Sequence, residues 1–536
     1  MAHLFDKPCF LGPLSLHDDD IAGLHVNTHI PVLVGAQKRY EVVGDHLYKD
    51  IATFFFDVVN SSHTFATGGT STMEHWHDPK RLVDEIKISS NEETCTTYNL
   101  LKVSRNLFRW TKEVKYADHY ERLLINGIMG NQRGTQPGVM IYFLPMGPGR
   151  SKSISGAPPS GLPPKMPGGW GGPNDTFWCC YGTGIESFSK LGDTIYFLEE
   201  GEVPGLYIAQ HIPSTFDWKA AGLTVVQQAK PLLSTDSYFE VTISISAKGD
   251  AQPAKVSVRI PSWTSTVGAT ATLNGKKLNL TSAGDFLTLT KLWGDDTLVL
   301  QFPINLRTEA IKDDRPEYAS IQAVLFGPHL LAGLTHGNKT INATEQSKKC
   351  MTLRGMDEMP VAGSDACVRA TIVVDTYEVD STAAEHGAAA PVLHGPNVTI
   401  APFDRPGMAI TNGFEVRLHP GPEALFNAVP GLDGLPGSVS LELGTRPGCF
   451  VTAPGGAKGY GPGDKAQVGC RTSGGGDDAA FRKAASFTQA PPLRLYHPLT
   501  FVAKGTERTF VLEPLRSLQD EFYTVYFNLV TAAAAS

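Results

Sequence analysis

The sequence predicts a multidomain α + β protein, on three observations. Apolar residues recur at helical spacing through the first 200 positions, the pattern then changes to short β-branched runs, and a β-rich motif repeats after residue 396. A chain of 536 residues holds roughly two to four domains at about 100–200 residues each.

In the helical part, VLVGAQKRYEVVGDHLYKDIATFFFDVVNSS predicts helices over about 32–43 and 46–60, broken at Gly44. CTTYNLLKVSRNLFRWT sets Leu100, Leu101, Leu107, Phe108 and Trp110 on one helical face, and YADHYERLLINGIMGNQ does so with Tyr120, Leu123, Leu124 and Ile128. Gly-rich loops separate these helices, notably FATGGTSTMEHW (65–76) and a Pro/Gly stretch at 146–173. Loops on a helical scaffold are a usual place for a site.

From residue 201 the runs GLYIAQHI, GLTVVQQA, YFEVTISISA, AKVSVRIP, DFLTLTKL and DTLVLQFP, spaced by Gly, Pro and Asp, predict an antiparallel β-sandwich ending near 337. ASIQAVLFGPHLLAGL (319–334) is apolar enough to be core. Residues 338–395 read as a linker with strands. The repeat follows over 396–530: Arg405-Pro406-Gly407 and Arg446-Pro447-Gly448 share a register, and a looser copy starts at Leu499. Three β repeats predict a trefoil-like module.

Charge and hydropathy exclude some function classes. The net charge is −8 and the charged fraction 19%, without the basic patches that nucleic acid or an anionic membrane would select. No apolar run reaches the ~20 residues of a membrane span. The N-terminus has no basic and apolar leader, so no signal peptide is visible. Six N-x-S/T sequons, at Asn60, Asn174, Asn279, Asn338, Asn342 and Asn397, lean toward a secreted lineage. A glycan on Asn174, five residues before Cys179, would crowd a site there, so that sequon is expected to stay bare.

Of the eight cysteines, Cys449 with Cys470 and Cys350 with Cys367 are expected as disulfides, being close in sequence and outside the helical region. Cys95, Cys179 and Cys180 are different. Glu93 and Cys95, at i and i+2, point apart on a helix and converge only at its end or in a loop. Asn91 is a plausible N-cap, which puts both in the first turn, where the helix N-terminus favours thiolate. The adjacent cysteines in FWCCYG can face one point if the backbone turns at Tyr181-Gly182. One carboxylate and three sulfurs suit tetrahedral zinc; disulfides or inert core thiols are the other readings of the same residues.

The segments NTHIPVLVGAQKRYEVVGD, FATGGTSTMEHW, NEETCTTYNLLKVSRNLFRWT, GVMIYFLPMGPG, FWCCYGTGIESFSKLGDTIYF and the tail from HPLTFV resemble glycoside hydrolase family 127, the β-L-arabinofuranosidases, in its plant form. The resemblance implies a partial (α/α)6 barrel over 1–200 followed by β-sandwich domains. It also likens the C-terminal module to the arabinose-binding trefoil of fungal arabinofuranosidase B. It implies Zn2+ held by Glu93, Cys95, Cys179 and Cys180, with Cys179 as nucleophile and Glu74 as general acid/base. His29 and Tyr142 would hold the sugar. Met73 and His75 depart from the family's usual G-E-F-W loop around that glutamate. Substrates would be arabinofuranosyl glycans, such as hydroxyproline-linked arabino-oligosaccharides of cell-wall glycoproteins, and the expected location extracellular. Relatives carry roughly half a barrel ahead of the position of Met1, so the alternative is an inactive arabinose-binding protein.

Overall fold

The computed structural model describes residues 6–134, 136–154, 169–174, 176–230, 238–249, 252–334, 340–342, 352–353, 395–399, 408–413, 416–418, 421–435, 438–452, 467–471, 479–488, 499, 501–504 and 509–530. The chain divides into two compact units. The first is Met1–Thr344 with His497–Phe501 and Leu512–Ser536; the second is Glu345–Tyr496 with Val502–Val511.

The first unit opens with helices: α1 Pro8–Ser15, α2 Val26–Val43, α3 His46–Ser62, α4 Leu82–Glu85, α5 Thr94–Thr111, α6 Val114–Arg122 and α7 Cys180–Glu186. Gly44 ends α2 in the left-handed region (φ 73°), which glycine enters at no steric cost, and Asp45 caps α3 through Leu47 N. The helix that starts at Val114 widens towards its end: beyond Arg122 it becomes a π turn, Leu123–Ile128. Leu33, Phe55, Leu101, Leu107, Phe108 and Tyr120 share one buried core, the faces that the 3.6-residue period marks. Among the described residues, no helix is long and apolar enough to cross a membrane.

Strands follow: β1 Tyr196–Glu199, β2 Gly205–Ile208, β3 Ser214–Trp218, β4 Leu223–Ala229, β5 Tyr238–Ala247, β6 Pro253–Ile260, β7 Thr270–Leu273, β8 Lys276–Leu278, β9 Asp285–Leu292, β10 Asp296–Pro303, β11 Leu306–Ala310, β12 Ile321–Phe326 and β13 His329–Leu334. They form one sheet in the order β1-β2-β6-β9 and another in the order β3-β4-β5-β10-β7-β8. The fold is mostly antiparallel, but β2 pairs with β6 in parallel, from Gly205↔Lys255 to Ile208↔Val258. This departs from the purely antiparallel expectation; β3, β4 and β5 lie between β2 and β6 in sequence and pair in the other sheet. Phe197 packs edge-on against Phe108 at 4.7 Å, so the first sheet adjoins the helical core.

β12 and β13 form a hairpin that is buried along most of its length. Tyr526–Val530 pairs with β12 and Leu512–Pro514 with β13. The tail expected to complete a module over 396–530 therefore contributes residues 512–530 to the first unit, because its β-branched and aromatic residues complete this sheet. The second unit has its own small core of Phe426, Ala428, Val439, Leu443, Cys449 and Val451, and its Cys449–Cys470 disulfide forms between paired strands. Cys350, Cys367 and Arg405-Pro406-Gly407 lie outside the described residues.

Candidate active site

Four chain segments interlace around one point. Residues 23–26 and 74–76 pair backbone to backbone: Gly23 N donates to Trp76 O, Trp76 N to Leu24 O and Val26 N to Glu74 O. Met73 N donates to Ser90 O, Glu92 N to Ser71 O, and Thr94 N to Tyr142 O. Together these bonds fix the loops that carry Glu74, Glu93 and Tyr142. Ser71, Met73, Glu74, Glu92 and Cys179 all hold positive φ, between 44° and 96°. Non-glycine residues pay for that conformation, and such strain concentrates at functional sites.

The N-cap of α5 is Glu93, with extended backbone (φ −60°, ψ 138°), not Asn91. Asn91 is buried and occupied: its amide donates to Glu85 O and Thr72 Oγ1, and its Oδ1 accepts from Met146 N. The extended cap turns the Glu93 side chain toward that of Cys95. The second turn differs from the sequence reading in the same way. The chain reverses at Cys179 itself (φ 46°, ψ −123°), the N-cap of α7, rather than at Tyr181-Gly182. That single residue turns neighbouring cysteines to one side. Gly182 serves the turn by close approach, since a Cβ there would lie 2.3 Å from Phe177 O.

The ligand atoms of Glu93, Cys95, Cys179 and Cys180 all lie within 4.8 Å of one another. Cys95 Sγ is 2.7 Å from Cys180 Sγ and 3.4 Å from Glu93 Oε1, and Cys180 Sγ is 3.7 Å from the same oxygen. Glu93 Oε2 is buried and, among the described residues, has no hydrogen-bond partner. A buried, unpartnered carboxylate oxygen beside three sulfurs fits a tetrahedral zinc site. Burial, and then the Glu74 carboxylate, push the Glu93 carboxyl up to about 8. Hydrogen bonds within the cluster, to Cys179 first, raise the Cys95 thiol, and burial raises Cys180. Hydrogen bonds from Cys180 and Cys95 hold the Cys179 thiol well below its ordinary value, against its partial burial. Negative charge therefore collects on Cys179, the exposed sulfur of the three.

Tyr142 connects this cluster to Glu74. Its hydroxyl donates to Glu74 Oε1 at 2.5 Å and lies 3.1 Å from Cys179 Sγ. Burial pushes its phenol up, so it remains a donor. Trp178 packs on both Tyr142 and Tyr181, with ring centroids 5.5 Å and 5.1 Å away, and is 53% exposed. His29 stands apart. Its Nδ1–H donates to His25 O at 2.7 Å and its ring meets Phe10 edge-on; none of these contacts reaches Glu74 or Cys179. His25, one turn earlier, comes closer to Glu74, with Nε2 3.5 Å from Glu74 Oε2. Sequence reasoning missed it, because only the pairing of 23–26 with 74–76 brings it there.

Residues 1–193 match the sequence model of the β-L-arabinofuranosidase GH127 catalytic domain, and residues 205–304 that of the GH127 middle domain. The chain belongs to glycoside hydrolase family 127, a family of glycosidases. Solved structures share the fold. A glycoside hydrolase is 14% identical with a TM-score of 0.54, covering 94% of this chain and 66% of its own. A GH127 β-L-arabinofuranosidase from Geobacillus stearothermophilus T6 is 14% identical with a TM-score of 0.50, covering 94% and 60%. A GH127 β-arabinofuranosidase is 12% identical with a TM-score of 0.52, covering 98% and 62%. This chain thus spans between 60% and 66% of the length of these structures. No curated protein matches it significantly in sequence.

Proposed function

We propose that this protein is a retaining glycosidase that releases terminal β-L-arabinofuranose, with Cys179 as nucleophile and Glu74 as general acid/base. The observation that carries the reading is the shared Tyr142 hydroxyl. With 2.5 Å to Glu74 Oε1 and 3.1 Å to Cys179 Sγ, the two reacting groups stand less than about 6 Å apart. A retaining pair of carboxylates stands about 5–5.5 Å apart.

Glu93, Cys95, Cys179 and Cys180 are the residues that would hold zinc, which when bound keeps coordinating thiols deprotonated. Cys179 attacks the anomeric carbon and forms a thioglycosidic bond, while the Glu74 carboxyl gives its proton to the departing glycosidic oxygen. The Glu74 carboxylate then takes a proton from water; the oxygen of that water displaces the Cys179 sulfur, and two inversions give net retention. Tyr142 orients Glu74 when that group is the carboxylate, and the Trp178 ring offers an apolar face beside the reacting sulfur.

Arabinofuranosyl glycans of hydroxyproline-rich wall glycoproteins, met outside the cell, are the substrates this reading favours. The helices of the first unit are read as part of an (α/α)6 barrel and β1–β10 as a sandwich. The second unit is read as an arabinose-binding trefoil.

The test is zinc content together with hydrolysis of an aryl β-L-arabinofuranoside, for wild type and Cys179→Ala. One zinc per chain and turnover that disappears in the variant is the expected result. Folded protein without zinc would overturn the metal site. Zinc with no turnover in wild type would overturn the glycosidase reading and leave a carbohydrate-binding protein.

A further inference from the structure

A second polar cluster lies away from this site, where α6 and the loop after α3 meet the end of β11. Arg122, Glu309, Lys312, Asn60, Thr64 and Tyr526 line a cavity there. Its volume is about 20 Å³, above the roughly 10–15 Å³ that one water needs.

The charges around it do not balance. Glu309 takes a bidentate contact from Arg122, at 3.1 Å and 2.5 Å, and a further one from Arg307 at 3.3 Å. Two cations thus share one carboxylate, and Lys312 stands beside them as a third. The nearby Glu121 is committed to Arg259 and to the Trp263 indole. Lys312 Nζ has only neutral partners, the Asn60 carbonyl and the Thr64 hydroxyl; among the described residues no carboxylate lies within ion-pair distance of it. Burial and the Arg122 guanidinium push its ammonium down to about 7. The Tyr526 hydroxyl accepts from Ala66 N at 2.7 Å and keeps its own proton to donate.

The excess of positive charge is only part-buried, with the Arg122, Arg307 and Glu309 side chains 24%, 30% and 37% exposed, and it attracts a counter-ion from solvent. We propose that this cavity binds a small monovalent anion, chloride being the common one, between Lys312, Arg122 and the Tyr526 hydroxyl. The ion would also secure the catalytic loop. Arg122 Nε donates to Ala66 O at 2.6 Å, so two of the cavity's residues already clamp Ala66 from both sides of its peptide. Residues 65–69 lead directly into the strained segment that ends at Glu74.

The experiment has two readouts on the intact chain. Crystals of wild type soaked in sodium bromide are expected to give an anomalous peak in contact with Lys312 Nζ. Melting measured in sodium chloride against sodium gluconate, at equal ionic strength, is expected to rise saturably by about 2–4 °C in chloride. Lys312→Met should abolish both effects. Bromide peaks confined to surface lysines, with equal melting in the two salts, would overturn the proposal. The wild-type measurements decide the matter even if the variant fails to fold, and neither depends on the protein being a glycosidase.

Discussion

The Tyr142 hydroxyl donates to Glu74 Oε1 at 2.5 Å. The Tyr142 hydroxyl oxygen also lies 3.1 Å from Cys179 Sγ, and a phenol has one proton to give. Which partner receives it depends on which carries charge. Tyr142→Phe removes that donor and leaves the four ligand residues intact. Hydrolysis of an aryl β-L-arabinofuranoside is expected to lose about 10²-fold in kcat, the usual cost of one preorganised donor. Zinc content should stay at the wild-type value. A variant with unchanged kcat would remove Tyr142 from the reaction.

Gly182 tests the turn that aligns the cysteines. A methyl group there would sit 2.3 Å from the Phe177 carbonyl oxygen, a backbone atom that cannot rotate away. Gly182→Ala is therefore expected to displace Cys179 and Cys180, with at least a tenfold loss of zinc affinity measured by competition with a chromogenic chelator. The helical content should barely change, because α7 is only seven residues long. Wild-type affinity in this variant would show that the turn tolerates the shift.

That Glu93, Cys95, Cys179 and Cys180 could converge was legible in the sequence, and much of the geometry that brings them together was not. Glu93, Cys95, Cys179 and Cys180 stand out because three sulfurs and a carboxylate form a recognisable donor set whatever the backbone does. Gly44 marks the break between α2 and α3 because its conformation is one that other residues avoid. The reversal at Cys179 is the opposite case: a non-glycine residue at φ 46° goes against local preference, and only the surrounding packing enforces it. His25 reaches Glu74 through backbone pairing between segments about fifty residues apart, which no local pattern encodes. The parallel pairing of β2 with β6 is long-range in the same sense.

Arg259 joins the helices to the strands. Its side chain is fully buried, donates to Ala209 O at 2.5 Å, contacts Asp118, and meets Glu121 at 2.6 Å. Arg259→Ala would leave the buried Glu121 and the part-buried Asp118 without their cation, at a cost of about 3–5 kcal/mol. The expected result is a marked drop in the urea midpoint. Replacing the trio together, by Arg259→Met, Asp118→Leu and Glu121→Leu, should recover much of the loss, since no charge then remains to be compensated. A single variant as stable as wild type would mean that water reaches the carboxylates.

His119 sets an acid limit on stability. It lies on α6, buried, with Nε2 3.2 Å from Gly68 O and Nδ1 2.9 Å from Ser104 Oγ. Burial, and then the charges of Lys312 and Arg122, push the imidazole down to about 3 from an ordinary 6.5. The unfolded chain therefore binds a proton at this residue below about pH 6.5, while the folded chain stays neutral down to about pH 3. Across that window the unfolded state holds more protons, so stability falls as the pH falls. At 1.36 kcal/mol per pH unit, the loss at pH 5 is about 2 kcal/mol. His119→Gln keeps a polar side chain that does not titrate. The stability difference between wild type and this variant should shift by about 2 kcal/mol, against the wild type, between pH 7.5 and pH 5 in urea unfolding. Groups that titrate in both proteins cancel in that difference. Parallel pH curves for the two proteins would show that His119 takes up its proton in the folded state.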